Sequence, residues 1–271
     1  MHDIDALVRG RRSVRTFDER PLAQQDLDKL CAFMAAVENP YGLPVEFRLL
    51  SAKKQGLSCP VVVGTDLYVG AKMKKAPYLN EAVGYSFEAL ILYAQSLGIG
   101  TVWVGGTMDR GAFERAMELG EDEVMPCVSP LGYPAKKMSL RETMMRKTIK
   151  AEERMAFEAL FFDGSFASPL TQERAGKLAH PLEMVRLGPS AVNKQPWRAV
   201  VKEKAVHFYL KRSKGFSGGA LDMQKIDLGI ALCHFDLAAR EAGLSPRFVQ
   251  ADPGIAAAEG EEYIASYQVC I

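Results

Sequence analysis

The stretch Gly188-Pro189-Ser190-Ala191-Val192-Asn193-Lys194-Gln195-Pro196-Trp197, deep in the second half of a 271-residue chain, sets the reading of the whole. A Gly-Pro pair breaks whatever helix precedes it, and Pro196 closes the loop. Between them stand Ser190, Asn193 and Gln195, all polar. The run Trp197-Arg198-Ala199-Val200-Val201 then predicts a strand that leaves the loop and enters the core. Two readings are open: a loop that faces a ligand, and a plain helix-to-strand turn capped by Ser190 and Asn193.

Near the other end, Asp3 can cap a short helix carrying Ile4, Leu7 and Val8 on one face, and Gly10 ends it. Arg11-Arg12-Ser13-Val14-Arg15-Thr16-Phe17 follows. If this segment is extended, Arg11, Ser13 and Arg15 project to one side. Two forked guanidiniums and a hydroxyl suit a phosphate monoester. The same arginines could instead complement the C-terminal dipole of the helix.

Pro-Ser-x-x-Asn-x-Gln-Pro-Trp at 189–197 and Arg-x-Ser-x-Arg-x-Phe at 11–17 resemble two signature segments of the nitroreductase superfamily of FMN enzymes. In that superfamily the first lies against the flavin ring and the second opens the fold. The likeness implies that Arg11, Ser13 and Arg15 hold the flavin phosphate and that Pro189, Ser190, Asn193 and Gln195 close over the ring. It extends to Gly105 and Gly106, which end the apolar run Thr101-Val102-Trp103-Val104 where relatives set backbone N–H groups against the flavin edge. A ring that approaches the main chain leaves no room for Cβ, although a plain tight turn would also use paired glycines. Gly132-Tyr133-Pro134 resembles the family too, and Arg141 stands where a phosphate-binding base tends to follow; Arg146 and Lys147 are less well placed. Gly98-Ile99-Gly100 is no dinucleotide fingerprint, because the third glycine is missing and the glycines precede the strand.

Relatives keep the two segments a few tens of residues apart, whereas Ser13 and Ser190 are 177 apart. An internal repeat accounts for this. Pro21-Leu22-Ala23-Gln24 returns as Pro169-Leu170-Thr171-Gln172 at an offset of 148, and Phe47-Arg48 as Trp197-Arg198 at 150. Gly84 and Gly98 return as Gly229 and Gly243 at 145, each pair bracketing an apolar helix. The first half keeps the arginine motif but has Glu38-Asn39-Pro40-Tyr41-Gly42 where the Pro-Ser loop belongs. The second keeps the loop but has Phe161-Phe162-Asp163-Gly164-Ser165-Phe166 in place of the arginines.

Between these landmarks, periodicity predicts a helix over 23–37 with Leu27, Leu30, Met34 and Ala35 inward, and strands at 45–50 and 60–64. A long helix over 80–97 is too apolar for a surface and so is central; 225–242 is its counterpart. A buried strand at 101–104, a short helix at 111–119 and a strand and turn at 127–134 follow. Residues 139–154 are polar and helix-prone, the expected connector between halves.

Composition is that of a globular protein, 48% hydrophobic and 25% charged. A net charge of +1 gives no general reason to bind nucleic acid, and no apolar run is long enough to span a membrane. The acidic start lacks the bases of a signal peptide, so a cytoplasmic protein is expected. Cys31, Cys59, Cys127, Cys233 and Cys270 are odd in number and scattered, and His2, His180, His207 and His234 lack metal-binding spacing; neither a disulfide frame nor a metal site is indicated.

The expected fold is α+β, two tandem pseudo-symmetric halves, 1–145 and 146–271, each a mixed, mainly antiparallel sheet flanked by helices, with the two long helices forming much of their contact. Relatives are homodimers whose flavins lie between subunits, so the resemblance implies one FMN per chain in a monomer that mimics a dimer. It also implies transfer of hydride from NAD(P)H to flavin and then to a nitroaromatic, quinone or similar acceptor, with no catalytic side chain required. The competing expectation is a degenerate, non-catalytic module that binds flavin or another ligand, and a flavin-independent structural protein is a third.

Overall fold

The chain is described by a computed structural model covering residues 3–213, 217–218, 221–256 and 260–269; His2 and Cys270 lie outside the described residues. It divides into two compact units. The first is 10–151, and the second joins 152–269 with the N-terminal residues 3–9.

In chain order, the first helix, α1 (Ile4–Gly10), belongs almost wholly to the second unit, where the N–H of Ile4 donates to both carboxylate oxygens of Glu241 at 3.0 Å. The first unit contains α2 (Gln24–Ala36), β1 (Glu46–Ser51), α3 (Ala52–Gln55), β2 (Leu67–Lys74), α4 (Leu79–Ser96), α5 (Arg110–Ala116), β3 (Glu123–Leu131) and α6 (Leu140–Thr148). Its sheet runs β1-β2-β3, antiparallel throughout, with Glu46 opposite Lys72 and Leu67 opposite Leu131. The core beside it gathers Leu50, Tyr68, Val104, Phe113, Met117 and Val128.

Several expectations meet corrections here. No strand forms at 60–64; Val63 makes only an isolated bridge to Thr16, and the central strand is β2, a stretch interrupted by Gly70 and Lys72. Lys72 is nevertheless buried, because its ammonium donates to Glu123 at 2.8 Å and to the Glu118 carbonyl. Residues 101–104 pair only through single bridges, Ser13 to Thr101 on one side and Val104 to Val128 on the other. Ala35 is exposed rather than inward, and only Leu30 of α2 is buried.

The second unit continues with α7 (Phe157–Leu160), β4 (Phe161–Asp163), α8 (Gln172–Ala175), α9 (Ala179–Leu187), β5 (Trp197–Lys202), β6 (Ala205–Lys211), β7 (Ser217–Gly218), β8 (Leu221–Asp222), α10 (Met223–Glu241), β9 (Arg247–Val249) and β10 (Glu261–Gln268). Its main sheet runs β4-β5-β6-β10-β9, antiparallel except for the parallel β4–β5 pair. Edge-to-face aromatic contacts fill its core: Phe208 meets Phe235 at 5.4 Å, and Tyr209 meets Tyr263 at 5.5 Å.

Both units place a long helix between the second and third strands of an antiparallel trio, α4 in β1-β2-β3 and α10 in β5-β6-β10. Gly98 and Gly243 follow these helices at φ of 72° and 74°, the left-handed conformation that stops a helix and that glycine adopts without strain. Both helices are buried on nearly every face, in keeping with their apolar sequences.

Candidate functional site

In the first unit the arginine motif is laid down as an extended segment beside residues 100–104. Val14 N–H donates to the Thr101 carbonyl at 2.8 Å, and Phe17 N–H to Val63 at 3.0 Å. Two glycines permit this approach. A Cβ on Gly100 would sit 3.0 Å from Val14 Cβ, and one on Gly132 would sit 2.8 Å from the Phe17 ring.

Neither Arg11 nor Arg15 has a hydrogen bond or ion pair to its guanidinium among the described residues, and Arg11 Nε and Arg15 Nη1 are sealed from solvent without a partner. Burial holds both guanidiniums below their ordinary pKa; Glu88 opposes this at Arg11 and Glu142 at Arg15, while Arg146 adds to it at both. Three cations thus face one another, two of them unbonded, and unpaired buried donors are costly unless an acceptor arrives. The Ser13 hydroxyl likewise has no partner among the described residues.

Glu142, on α6, fixes this arrangement. It is 2% exposed and its carboxylate accepts from Arg12 Nη1 at 3.2 Å, Arg15 N–H at 3.3 Å and the Thr16 hydroxyl at 2.7 Å. The remaining arginine of the motif, Arg12, is therefore the structural one. Sequence reasoning missed Glu142 because it lies in a polar stretch expected to be a solvated connector. The available signal was the capping pair Ser139 and Glu142, where the Ser139 hydroxyl accepts the N–H of Glu142.

Arg141 is exposed and donates from Nη1 to the Pro60 carbonyl at 2.6 Å. It lines a cavity of about 400 Å³ together with Ser58, Thr107, Met108 and Gly106. Cys59, which donates to the Thr107 carbonyl, links the two groups of residues. Burial pushes its thiol up, while the Val61 backbone, Arg15 and Arg141 pull it down. The N–H groups of Gly105 and Gly106 have no acceptor among the described residues, and the Gly105 carbonyl is held by Arg110 at 2.5 Å. Nothing stands within 4 Å of where a Gly106 Cβ would be.

In the second unit the loop 188–197 is built largely from its own polar groups. Ser190 Oγ accepts from Gln195 N–H at 2.8 Å, and Gln195 Oε1 accepts from Met155 N–H at 2.9 Å. Asn193 Nδ2 donates to the Glu153 carbonyl, and Asn193 Oδ1 accepts from Arg154. Val192, Asn193 and Gln195 have positive φ of 43°, 58° and 49°, strain that these bonds hold in place. From α10, Asp227 reaches the loop by accepting Ala191 N–H at 3.0 Å; burial pushes its carboxyl well above the usual range, against the pull of that bond. Arg198 Nη1 donates to the carbonyls of Gln195 and Trp197. Pro189 and Ser190 remain half-buried and Val192 exposed.

Asp163, in the segment that stands in place of the arginines in the second half, is ion-paired with Arg174, so its charge is already answered. His234 and His207 are buried and bonded to Met184 O and Ser266 Oγ. Among the described residues no group of three or more His, Cys, Asp or Glu could hold a metal ion, and no helix is long and apolar enough to cross a membrane.

A family model described as "Putative TM nitroreductase" matches residues 3–239. The chain is 25% identical over 160 residues to a Methanothermobacter thermautotrophicus protein named "Putative NADH dehydrogenase/NAD(P)H nitroreductase", an alignment covering 52% of this chain and 82% of that one. Among solved structures it is similar to a "putative nitroreductase" of Thermotoga maritima, with a TM-score of 0.63, 20% identity, and coverage of 98% of this chain and 92% of that chain. An "FMN-dependent Nitroreductase" of Clostridium difficile R20291 aligns at a TM-score of 0.43 and 16% identity, over 53% of this chain and 95% of that chain.

Proposed function

We propose that this chain, which belongs to the "Putative TM nitroreductase" family, is an FMN-dependent oxidoreductase that takes hydride from NAD(P)H and reduces a nitroaromatic, quinone or similar acceptor. The observation that carries this reading is the pair of partly buried guanidiniums, Arg11 and Arg15, without bonds beside Arg146. That donor set fits a phosphate monoester, which would accept from both forks at once. Flavin, when bound, supplies the redox chemistry, so the protein has to hold and orient it.

Arg11 and Arg15 bind the phosphate, and Ser13 adds a hydroxyl donor. Glu142 keeps Arg15 in register through its backbone N–H, so it is a positioning residue. Gly105 and Gly106 offer their unclaimed N–H groups to the ring edge, and Arg141 stands at the cavity that Gly106 also lines. Pro189, Ser190, Asn193 and Gln195 are the residues proposed for the flavin ring, their side chains stiffening a loop that presents its backbone and apolar edge. No side chain is required as a proton donor, since water can protonate the acceptor.

The arginine motif and the Pro-Ser loop come from different halves of the sequence. The repeated blocks, and the long helix that each unit places between the second and third strands of an antiparallel trio, support a duplication in which each half has kept one of the two motifs.

The test is spectroscopic. Protein reconstituted with FMN is expected to bleach anaerobically on addition of NADH or NADPH and to regain its colour when a quinone is added. A yellow protein inert to both nucleotides would replace the oxidoreductase with a binding module. A protein that leaves added FMN unbound would remove the flavin reading altogether.

A further inference from the structure

The second unit has a larger cavity, about 890 Å³, that the proposed flavin chemistry does not use. It opens at the turn between β5 and β6 and at the ends of β9 and β10. Lys202, Lys204 and Arg247 line it with a single carboxylate, Glu203. Among the described residues none of the three cations has an ion-pair partner. Arg247 is steadied instead by a neutral group, donating from Nε at 3.1 Å and from Nη2 at 2.5 Å to Gln268 Oε1.

His207 also lines the cavity, although it is only 8% exposed. Its Nδ1 is 2.7 Å from Ser266 Oγ, which in turn lies 2.8 Å from the Tyr263 hydroxyl. This chain of three side chains fixes the ring. It leaves Nε2 as the one ring nitrogen with no partner among the described residues. Burial and then Lys202 hold the imidazole below its ordinary pKa, with Glu203 and Asp252 opposing. Three solvent-exposed cations without ion pairs among the described residues and one buried, oriented histidine line the same pocket, a donor set that suits an anion.

We propose that this cavity is a second ligand site, for a small phosphate-like dianion held by Lys202, Lys204 and Arg247 over His207. It is separate in the sequence and in its residues from the arginine motif, and it stands whether or not flavin binds.

The full-length chain is titrated with inorganic phosphate at constant ionic strength while the ring signals of His207, assigned by comparison with His207→Gln, are followed by NMR. Phosphate is expected to shift them saturably and to move the His207 titration to higher pH, because a nearby anion stabilises the imidazolium. A Lys204→Ala/Arg247→Ala double variant is expected to weaken this binding about tenfold or more, as loss of two charged contacts would. Both side chains are exposed, so the fold should not depend on them. Phosphate held at Arg11 and Arg15 would leave the His207 signals and their response to the double variant untouched. The proposal is overturned if phosphate causes no saturable shift, if chloride causes the same shift, or if the double variant binds as the parent does.

Discussion

Apoprotein carrying both Arg11→Ala and Arg15→Ala is expected to bind FMN at least two orders of magnitude more weakly than the parent, with no loss of folding stability. Each charge-assisted contact to phosphate is worth roughly 1.5–3 kcal/mol, and every 1.4 kcal/mol is about tenfold in affinity. The second half of the expectation distinguishes a binding role from a structural one. Both guanidiniums are partly buried without bonds, so removing them relieves a desolvation cost instead of breaking an interaction. Fluorescence titration with FMN and urea unfolding of the same samples give both answers. Unchanged affinity would place the phosphate elsewhere, and a large drop in stability would make these arginines part of the scaffold.

Glu142→Ala is expected to do the reverse, lowering stability by about 2–4 kcal/mol. Its carboxylate answers three donors, Arg12 Nη1, Arg15 N–H and the Thr16 hydroxyl, and truncation leaves them facing a cavity. Arg12 is 36% exposed and can turn to water, which keeps the loss below that of a fully buried pair. Glu142→Gln retains an acceptor and should lose less. The urea midpoints of the three proteins check the order; equal midpoints would mean that α6 does not hold the arginine segment.

The contrast between these residues shows what the sequence made legible. Arg11, Ser13 and Arg15 stood out because period-two projection in an extended segment follows from backbone geometry, and their side chains have no hydrogen-bond partner among the described residues. The long helices were legible from their apolar length, and Leu79–Ser96 and Met223–Glu241 lie close to the expected 80–97 and 225–242. Glu142 was not legible, since its partners lie more than a hundred residues away and a glutamate in a polar helix looks solvated. β2 was hidden by Gly70 and Lys72, whose places are justified only by contacts: a Cβ on Gly70 would lie 2.5 Å from Met117 Sδ, and Lys72 finds Glu123. Residues 60–64 misled because an apolar run bounded by Pro60 and Gly64 reads the same whether it extends or turns.

The Pro-Ser loop taught a different lesson. Ser190 and Asn193 were open to two readings, and the described bonds use both as turn builders, together with Gln195 and a buried Asp227 from α10. Sequence alone could not give the direction of these side chains, because positive φ at Val192, Asn193 and Gln195 reverses the alternation that an extended loop would have.

The central claim is that one chain binds one flavin, because the arginine motif is present only before the connector and the Pro-Ser loop only after it. Flavin-to-protein stoichiometry, measured on the reconstituted protein together with its solution mass, tests it directly. One FMN per chain, on a particle with the 29.8 kDa mass of a monomer, is the expected result. Two FMN per chain, or flavin retained only by a dimer, would contradict it.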